Sequence, residues 1–93
     1  MSARGYRYRD FFIPDYMFEG LDLWIARGVL PGSFLTAVLC NDLMEACACA
    51  DEMNIRQLPA YCAYLHNEAP PACFGSKQRV RDWIEHKREA RRA

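Results

Sequence analysis

The sequence predicts an all-α fold, a compact bundle of about four helices with a proline-rich crossing loop before the last helix. Apolar residues recur at steps of three and four along most of the chain, which is the periodicity of amphipathic helices. Pro, Gly, Ser and Asn interrupt these stretches at points where helices start and stop. We find no internal repeat and no stretch with the convincing alternation of a half-buried strand, so no sheet is expected.

The length indicates one domain with a small core, because a chain of 93 residues buries only about two-thirds of its unfolded surface. We divide it into an N-terminal arm over residues 1–12, a helical domain over residues 13–86 and a charged C-terminal tail over residues 87–93. The apolar fraction of 52% is high for so small a body, so some aromatic surface is expected to stay outside. That surplus favours a binding face or self-association, and we expect a homo-oligomer.

The formal net charge is zero, but the charges are unevenly placed. Residues 1–9 carry three Arg, residues 10–76 carry nine acids against two bases, and residues 77–93 carry seven bases against three acids. An acidic body between basic ends is a poor general binder of duplex nucleic acid. The first ten residues lack the apolar segment of a signal peptide, and no run approaches the length of a bilayer span. We therefore expect a cytoplasmic protein without a membrane partner.

The arm alternates Arg with Tyr from Tyr6 to Arg9 and then ends in Phe11 and Phe12. This alternation predicts an extended segment. Tyr8 and Arg9 are candidates to stack on a base or to hold a phosphate. The alternative is a terminus whose Phe side chains tuck onto the body.

The first helix is predicted between Pro14 and Gly28. Pro14 suits a first helical turn because its missing N–H is not needed there, and Gly28 suits the left-handed position that ends a helix. The apolar side chains between them keep helical spacing. They are Met17, Phe18, Leu21, Trp24 and Ile25.

The organising helix is predicted from Phe34 to about Ala50, after a turn at Pro31 and Gly32 and an N-cap at Ser33. Apolar side chains cover more than half of its circumference. A helix of that kind must be covered on several sides, so we expect it to be a buried rod.

Asn41 and Asp42 lie in the middle of this predicted helix, where neither residue has good helix propensity. One explanation is a narrow solvated strip, because short polar side chains commonly bond to neighbouring backbone. The other is that they hydrogen-bond another segment or a ligand.

The third helix is predicted to begin between Asn54 and Leu58. Asn54 and Gln57 have the spacing of a capping box, and Pro59 must lie near the start because it would break the interior of a helix. The expected inward face is Leu58, Tyr61, Cys62 and Leu65, with Tyr64 and His66 nearer the rim.

Pro70 and Pro71 end the third helix and force an extended crossing. Ser76 is predicted to cap the fourth helix, which has a narrow apolar stripe around Val80 and Trp83. The charged residues after His86 are expected to fray.

The five cysteines are an odd number and are expected to stay reduced in the cytoplasm. Cys47 and Cys49, with Cys62, His66 and Cys73, are the candidates for a zinc site. No C-x-x-C pair is present, and free cysteine is a common core residue, so we predict no metal. No nucleophile and base share a supporting motif, and we predict no catalytic residues, no enzyme activity and no cofactor.

The favoured site is formed by the crossing loop. If the loop packs over the second helix, Asn41 and Asp42 face the same cleft as the free N–H groups at the start of the fourth helix, which can seat an anion. The alternative is a capped helix end that holds a hydrophobic plug. With the arm included, the candidate ligand- or partner-binding residues are Asn41, Asp42, Asn67, Glu68, Cys73, Phe74, Ser76, Lys77, Tyr8 and Arg9.

Two stretches, PGSFLTAVLCNDLMEACACAD and YLHNEAPPACFGSKQRVRDWI, resemble a widespread group of small, mostly uncharacterised proteins encoded by tailed bacteriophages and prophages. The resemblance runs from about Ile13 to Ile84, and it is carried by FLTAVLxNDL at residues 34–43 and NxAPxxC-aromatic-GS at residues 67–76. It implies a phage accessory protein that acts in the cytoplasm of the bacterial host.

By analogy with other small phage proteins, the expected function is non-catalytic inhibition of a host system, first of all anti-phage defence, by binding a host bacterial protein. A first alternative is a sponge that sequesters a phosphate-bearing, cyclic signalling nucleotide. A second alternative is a small DNA-associated regulator that uses the basic C-terminal helix, although specific duplex binding is not favoured because acids interrupt its bases.

Overall fold

A computed structural model describes residues 2–92, and within that range the chain forms one β-hairpin, six α-helices and a single 3₁₀ turn. The elements are β1 (Arg7–Tyr8), β2 (Phe11–Phe12), α1 (Phe18–Arg27), α2 (Ser33–Leu39), α3 (Leu43–Cys49), α4 (Glu52–Arg56), α5 (Leu58–Asn67), the 3₁₀ turn (Pro71–Cys73) and α6 (Lys77–Arg92). The predominantly helical prediction is confirmed. The predicted number of about four helices is wrong, and so is the expectation of no sheet.

The predicted arm is a hairpin that belongs to the body of the protein. β1 and β2 pair antiparallel, with Arg7 opposite Phe12, and the hairpin packs on α5. The Phe12 N–H donates to Oε1 of Gln57 at 2.8 Å, and the Tyr6 ring meets the Tyr64 ring edge-on at 5.1 Å. Two residues per strand are too few for an alternating pattern to be recognised, so the sequence predicts the extended backbone and misses the sheet.

α1 begins at Phe18, four residues later than predicted, because Asp15 to Met17 form a turn after Pro14. Its end at Gly28 is as predicted. Gly28 has φ 68°, and a Cβ built on it would lie 2.9 Å from the Cβ of Lys87 on α6. Glycine is therefore required here both for the left-handed backbone and for the close approach of α6.

The predicted single helix over residues 34–50 is wrong, because the chain breaks it into α2 and α3. Asn41 adopts the left-handed region with φ 59°, which Asn tolerates better than most residues. The Asp42 carboxylate then accepts the Glu45 N–H at 3.3 Å and caps α3. The two residues that fit a helix interior poorly are the ones that end one helix and start the next. Gly32, not Ser33, is the N-cap residue of α2.

α4 is an additional short helix that the sequence analysis missed. Its cap is Asp51, whose carboxylate accepts the Asn54 N–H at 2.7 Å. The Asn54 side chain is buried and accepts the hydroxyl hydrogen of Tyr61 at 2.6 Å, so Asn54 is not the predicted cap. α5 begins at Leu58 with Pro59 in its first turn, as predicted.

The inward face of α5 is rotated from the predicted one. Tyr61 and Leu65 are buried as predicted, but Tyr64 is also buried and Cys62 is exposed. The hairpin covers the Tyr64 side of α5. The helical periodicity of α5 alone does not predict this contact, because the hairpin is distant in sequence.

Two indole rings join the crossing loop, α1 and α6 in the core. The Trp24 Nε1–H donates to the carbonyl of Cys73 at 3.0 Å, and the Trp83 Nε1–H donates to the carbonyl of Trp24 at 2.9 Å. Around them the buried apolar side chains include Ile13, Leu21, Phe34, Leu35, Leu39, Tyr61, Leu65 and Val80. The loop before α6 is thereby fixed against the centre of the molecule.

α6 continues through Arg92, so residues 87–92 are helical where a frayed tail was expected. The Arg91 guanidinium donates to the carbonyl of Arg27 at 2.9 Å. This contact satisfies a carbonyl at the end of α1 that the helix itself leaves free. Among residues 2–92 no helix combines the length and the apolar character needed to cross a bilayer.

Candidate functional site

A cleft opens where the α2–α3 break faces the start of α6. It consists of two adjoining cavities of about 460 and 590 Å³, which share Cys40, Asp42 and Lys77. The first cavity is further lined by Pro31, Ser33, Thr36, Ala37 and Glu45. The second is further lined by Asn41, Leu43, Met44, Gly75, Ser76 and Gln78.

One backbone hydrogen bond holds the two walls of the cleft together. The Gly75 N–H donates to the carbonyl of Leu39 at 2.7 Å, so the crossing loop is attached to the last residue of α2. The hydroxyl of Ser76 accepts the Arg79 N–H at 3.1 Å and caps α6, as predicted. Because Asp42 caps α3 in the same region, two helix starts meet at the cleft.

The charges in the cleft are mixed. Lys77 lies on one wall, and the carboxylates of Asp42 and Glu45 line the other side of the first cavity. Burial raises the pKa of the Cys40 thiol, and the nearby Lys77 opposes that shift only in part. A thiol must be deprotonated to act as a nucleophile, so the raised pKa disfavours that role for Cys40.

Leu43 and Met44 form an apolar edge to the second cavity. Their exposed fractions are 61% and 82%, the latter the largest value among the exposed large apolar residues of the described chain. Exposed aliphatic side chains beside polar groups are typical of a recognition surface.

Four of the predicted site residues meet in this cleft. Asn41 and Asp42 come from the α2–α3 break, and Ser76 and Lys77 come from the start of α6. Their meeting depends on the crossing loop packing on α2, which the Gly75 to Leu39 hydrogen bond provides.

The other predicted site residues are not in the cleft. The Cys73 side chain is fully buried in the core and lines neither of the two cavities. The Phe74 ring is half-buried against the core instead of projecting over the cleft. Asn67 and Glu68 are exposed at the end of α5 and line neither of the two cavities.

Tyr8 and Arg9 lie on the hairpin, at the end of β1 and in its turn. The Arg9 guanidinium sits over the Tyr8 ring at 5.0 Å from its centroid. Each therefore already stacks on the other, and neither lines the cleft.

The sequence does not predict the other cleft residues, which include Cys40, Leu43, Met44 and Gln78. The signal that could have found them is the pair Asn41 and Asp42 inside an apolar run. Such a pair favours a break between two helices, and the residues beside a break become exposed. Once α3 starts a new direction at Leu43, its first turn becomes surface.

Several basic residues of α6 contact the protein itself, among them Arg79, Lys87 and Arg91. The Arg79 guanidinium reaches the carbonyls of Pro71 and Phe74, both at 3.4 Å. The Lys87 ammonium lies 4.8 Å from the centroid of the Trp83 ring. A helix whose cations already bind its own chain presents fewer of them to a phosphate backbone.

No group of three or more His, Cys, Asp or Glu within residues 2–92 is arranged to hold a metal ion. Cys49 donates through Sγ to Oε1 of Glu45 at 3.2 Å, and Cys62 is exposed on α5. The candidate zinc ligands therefore lie in different environments and do not form one cluster.

Comparison with known protein families, with curated proteins and with solved structures finds no match for this chain.

Proposed function

We propose that this chain is a non-catalytic phage accessory protein that inhibits an anti-phage defence system of its bacterial host by binding one of that system's proteins. The proposal is supported chiefly by the cleft at the α2–α3 break, where polar side chains adjoin exposed Leu43 and Met44. The phage setting comes from the resemblance of residues 13–84 and is part of the proposal.

The chemistry of the cleft favours a protein partner. Leu43 and Met44 offer aliphatic contact area, and protein interfaces combine such an apolar centre with a polar rim. Lys77 on one wall and Asp42 on the other match the alternating charges of a protein surface better than those of a polyphosphate.

Affinity capture from bacterial lysate tests this proposal. We expect the wild-type chain to retain one host protein in near-stoichiometric amount, and Lys77→Glu to lose it. Arg88→Glu is the matched control, because it makes the same charge change on α6 at a residue that does not line the cleft. Failure of the wild-type chain to retain any partner, or equal retention by both variants, would count against the proposal.

A second candidate function is sequestration of a cyclic signalling nucleotide. Ser76 and Lys77 lie at the start of a 16-residue helix, where N–H groups and the helix dipole favour a phosphate. Asp42 and Glu45 oppose it, because they add two carboxylates to the same cleft. A rise in melting temperature with one nucleotide of a cyclic panel, abolished in Lys77→Glu, would favour this function over protein binding.

The DNA-associated alternative has the least support. The Arg79 and Lys87 side chains are engaged with the protein itself, and Arg88 pairs with Glu85 at 3.1 Å. Retardation of a DNA duplex by the protein in a gel-shift assay at physiological salt would favour the DNA-associated alternative.

A further inference from the structure

The two walls of the cleft carry charges of opposite sign. Asp42 and Glu45 line the first cavity from the start of α3, and Lys77 lines it from the start of α6. Arg81 follows Lys77 by about one turn on the same side of α6. Burial raises the pKa of the Cys40 thiol, and Lys77 and Arg81 oppose that shift, so both cations lie near this cleft residue. The α3 wall is therefore acidic, and the α6 wall is basic.

These four charges do not pair with one another. Within residues 2–92 both ion pairs lie elsewhere, one on α4 and one between later residues of α6. The Asp42 carboxylate accepts a backbone N–H, and the Glu45 carboxylate accepts the Cys49 thiol at 3.2 Å. The Arg81 guanidinium donates to the amide oxygen of Gln78 at 3.0 Å. Each wall therefore keeps charges that can still pair with a charge of opposite sign.

The backbone at the two helix starts does not cancel this difference in sign. The start of a helix carries about half a positive charge, which adds to the basic α6 wall and offsets only part of the two carboxylates on the α3 wall. Asp82 is the first acid of α6, but it accepts the Gln78 side chain at 2.8 Å and lines neither cavity of the cleft.

We propose that the cleft binds a segment of the host protein in which an acidic and a basic side chain lie side by side, the acid against the α6 wall and the base against the α3 wall. This inference rests on the proposed function and specifies the partner surface that the cleft recognises. A segment with charges of one sign would be attracted by one wall and repelled by the other. A segment with both signs in this order is complementary to both walls.

An apolar side chain completes the recognised segment. Leu43 and Met44 are exposed beside the second cavity, which Lys77 and Asp42 also line. An apolar contact there removes water from the neighbouring ion pairs. That matters because ion pairs that stay fully solvated contribute little, whereas desolvated and well-placed pairs contribute more to binding.

Capture of the host protein by charge-reversed chains tests the proposal. Glu45→Lys should lower the retained amount by about 10-fold, because it sets a cation against the basic side chain of the partner. Arg81→Glu should lower it by about 5-fold on the other wall. Glu89→Lys and Arg88→Glu are the matched controls, since they make the same charge changes on α6 at residues that do not line the cleft. Wild-type retention by Glu45→Lys and Arg81→Glu overturns the proposal.

A neutral variant keeps the test valid if a reversal disturbs the fold. Glu45→Gln removes the charge and keeps the size of the side chain, so it should lower the retained amount by about 3-fold. The melting temperature of each chain is measured first. Retention by a folded Glu45→Gln chain that equals wild type overturns the role of the α3 wall.

A charge swap separates recognition of the partner from an internal role of the same charges. Glu45→Lys combined with Lys77→Glu keeps the net charge of the cleft but reverses the order of the signs. We expect retention to stay at least about 10-fold below wild type, because each new charge meets a partner charge of its own sign. Wild-type retention by the double variant would mean that only net charge or an internal pair matters, and it overturns the proposal.

The same captures distinguish this inference from the proposed function. A host protein that is retained by wild type, lost with Lys77→Glu and kept with Glu45→Lys leaves the proposed function standing and overturns only the assigned order of charges. A wild-type chain that retains no host protein overturns the proposed function and this inference with it.

Discussion

At the scale of single residues, a few polar side chains fix how the elements meet. Trp24 is fully buried, and its indole donates to the carbonyl of Cys73 while its own carbonyl accepts from Trp83. Three segments far apart in the chain are thereby linked through one residue. A buried carbonyl that loses its donor lowers the stability of the fold. The Trp24 indole is therefore expected to contribute to the free energy of unfolding through its hydrogen bond as well as through its buried area.

Trp24→Phe is expected to lower the free energy of unfolding by about 2–4 kcal/mol, because it leaves the Cys73 carbonyl unsatisfied and opens a small cavity. The measurement is urea denaturation, in which a lower midpoint concentration with an unchanged m-value reports the loss of stability. Leu23→Ala is the control, because Leu23 is adjacent and 46% exposed, and it should change stability by only about 0.5 kcal/mol. Equal losses in both variants would contradict the assigned role of the indole.

Asp51 joins the start of α4 to the turn before α1. The Asn54 N–H, and after it the Tyr16 hydroxyl at 2.7 Å, hold the pKa of Asp51 below its ordinary value. A lowered folded pKa means that this carboxylate stabilises the fold fully above its unfolded pKa of about 4. The stabilisation is lost as the pH falls through the lower, folded value.

Asp51→Ala is therefore expected to melt below wild type at about pH 7, and the difference should narrow towards about pH 2.5. Tyr16→Phe removes the hydroxyl contact and keeps the stronger Asn54 contact, so it should show a smaller effect of the same sign. Thermal melts of the three chains across this pH range check it. A melting difference that is the same at both ends of the range would rule out the carboxylate as its source.

At the scale of elements, the break between α2 and α3 forms the cleft and determines which residues beside it are exposed. Without it, the apolar stretch after Phe34 would be one helix, and Leu43 and Met44 would continue its direction. The left-handed Asn41 and the Asp42 cap turn α3 away, which opens the cleft and exposes Leu43 and Met44.

Asn41→Ala is expected to destabilise the chain by about 1 kcal/mol, because alanine is strained at φ 59°. Asn41→Gly should be neutral or slightly stabilising at the same position, since glycine accepts this backbone without strain. Chemical denaturation of both variants gives the comparison. If Ala were tolerated as well as Gly, the left-handed break would not be present in solution.

The sequence predicts those elements that local rules determine. The Gly28 stop, the Pro59 start and the Ser76 cap follow from the backbone preferences of single residues, and the structure confirms them. The poor helix propensity of Asn41 indicates the α2–α3 break, but the apolar periodicity continues across it and predicts a single helix. The burial of Tyr64 was not predictable, since it depends on a hairpin contact distant in sequence.

The candidate site shows the same division between features that local sequence rules predict and features that depend on tertiary contacts. Asn41, Asp42, Ser76 and Lys77 come together because the loop crosses α2, as expected from the two prolines. The position of Cys73 and Phe74 in the loop predicts contact with a ligand, yet the residues of a crossing loop alternate between core and surface. Only tertiary contacts decide which of them face inward, and the Trp24 indole draws the Cys73 segment into the core.

At the scale of the whole molecule, the cleft and the exposed first turn of α3 adjoin each other on one side of the described chain. They share Leu43 and Met44 at their boundary. Lys77 lines both cavities of the cleft, so a charge change at this residue tests partner binding directly.

The central claim is that the cleft holds a host protein. The most direct measurement is quantitative mass spectrometry of host proteins retained by the wild-type chain, by Lys77→Glu and by Arg88→Glu, each first shown to have the same oligomeric mass. The account predicts one host protein retained in near-equal amount with wild type and Arg88→Glu and depleted at least about 10-fold with Lys77→Glu. Equal recovery from all three chains would contradict it.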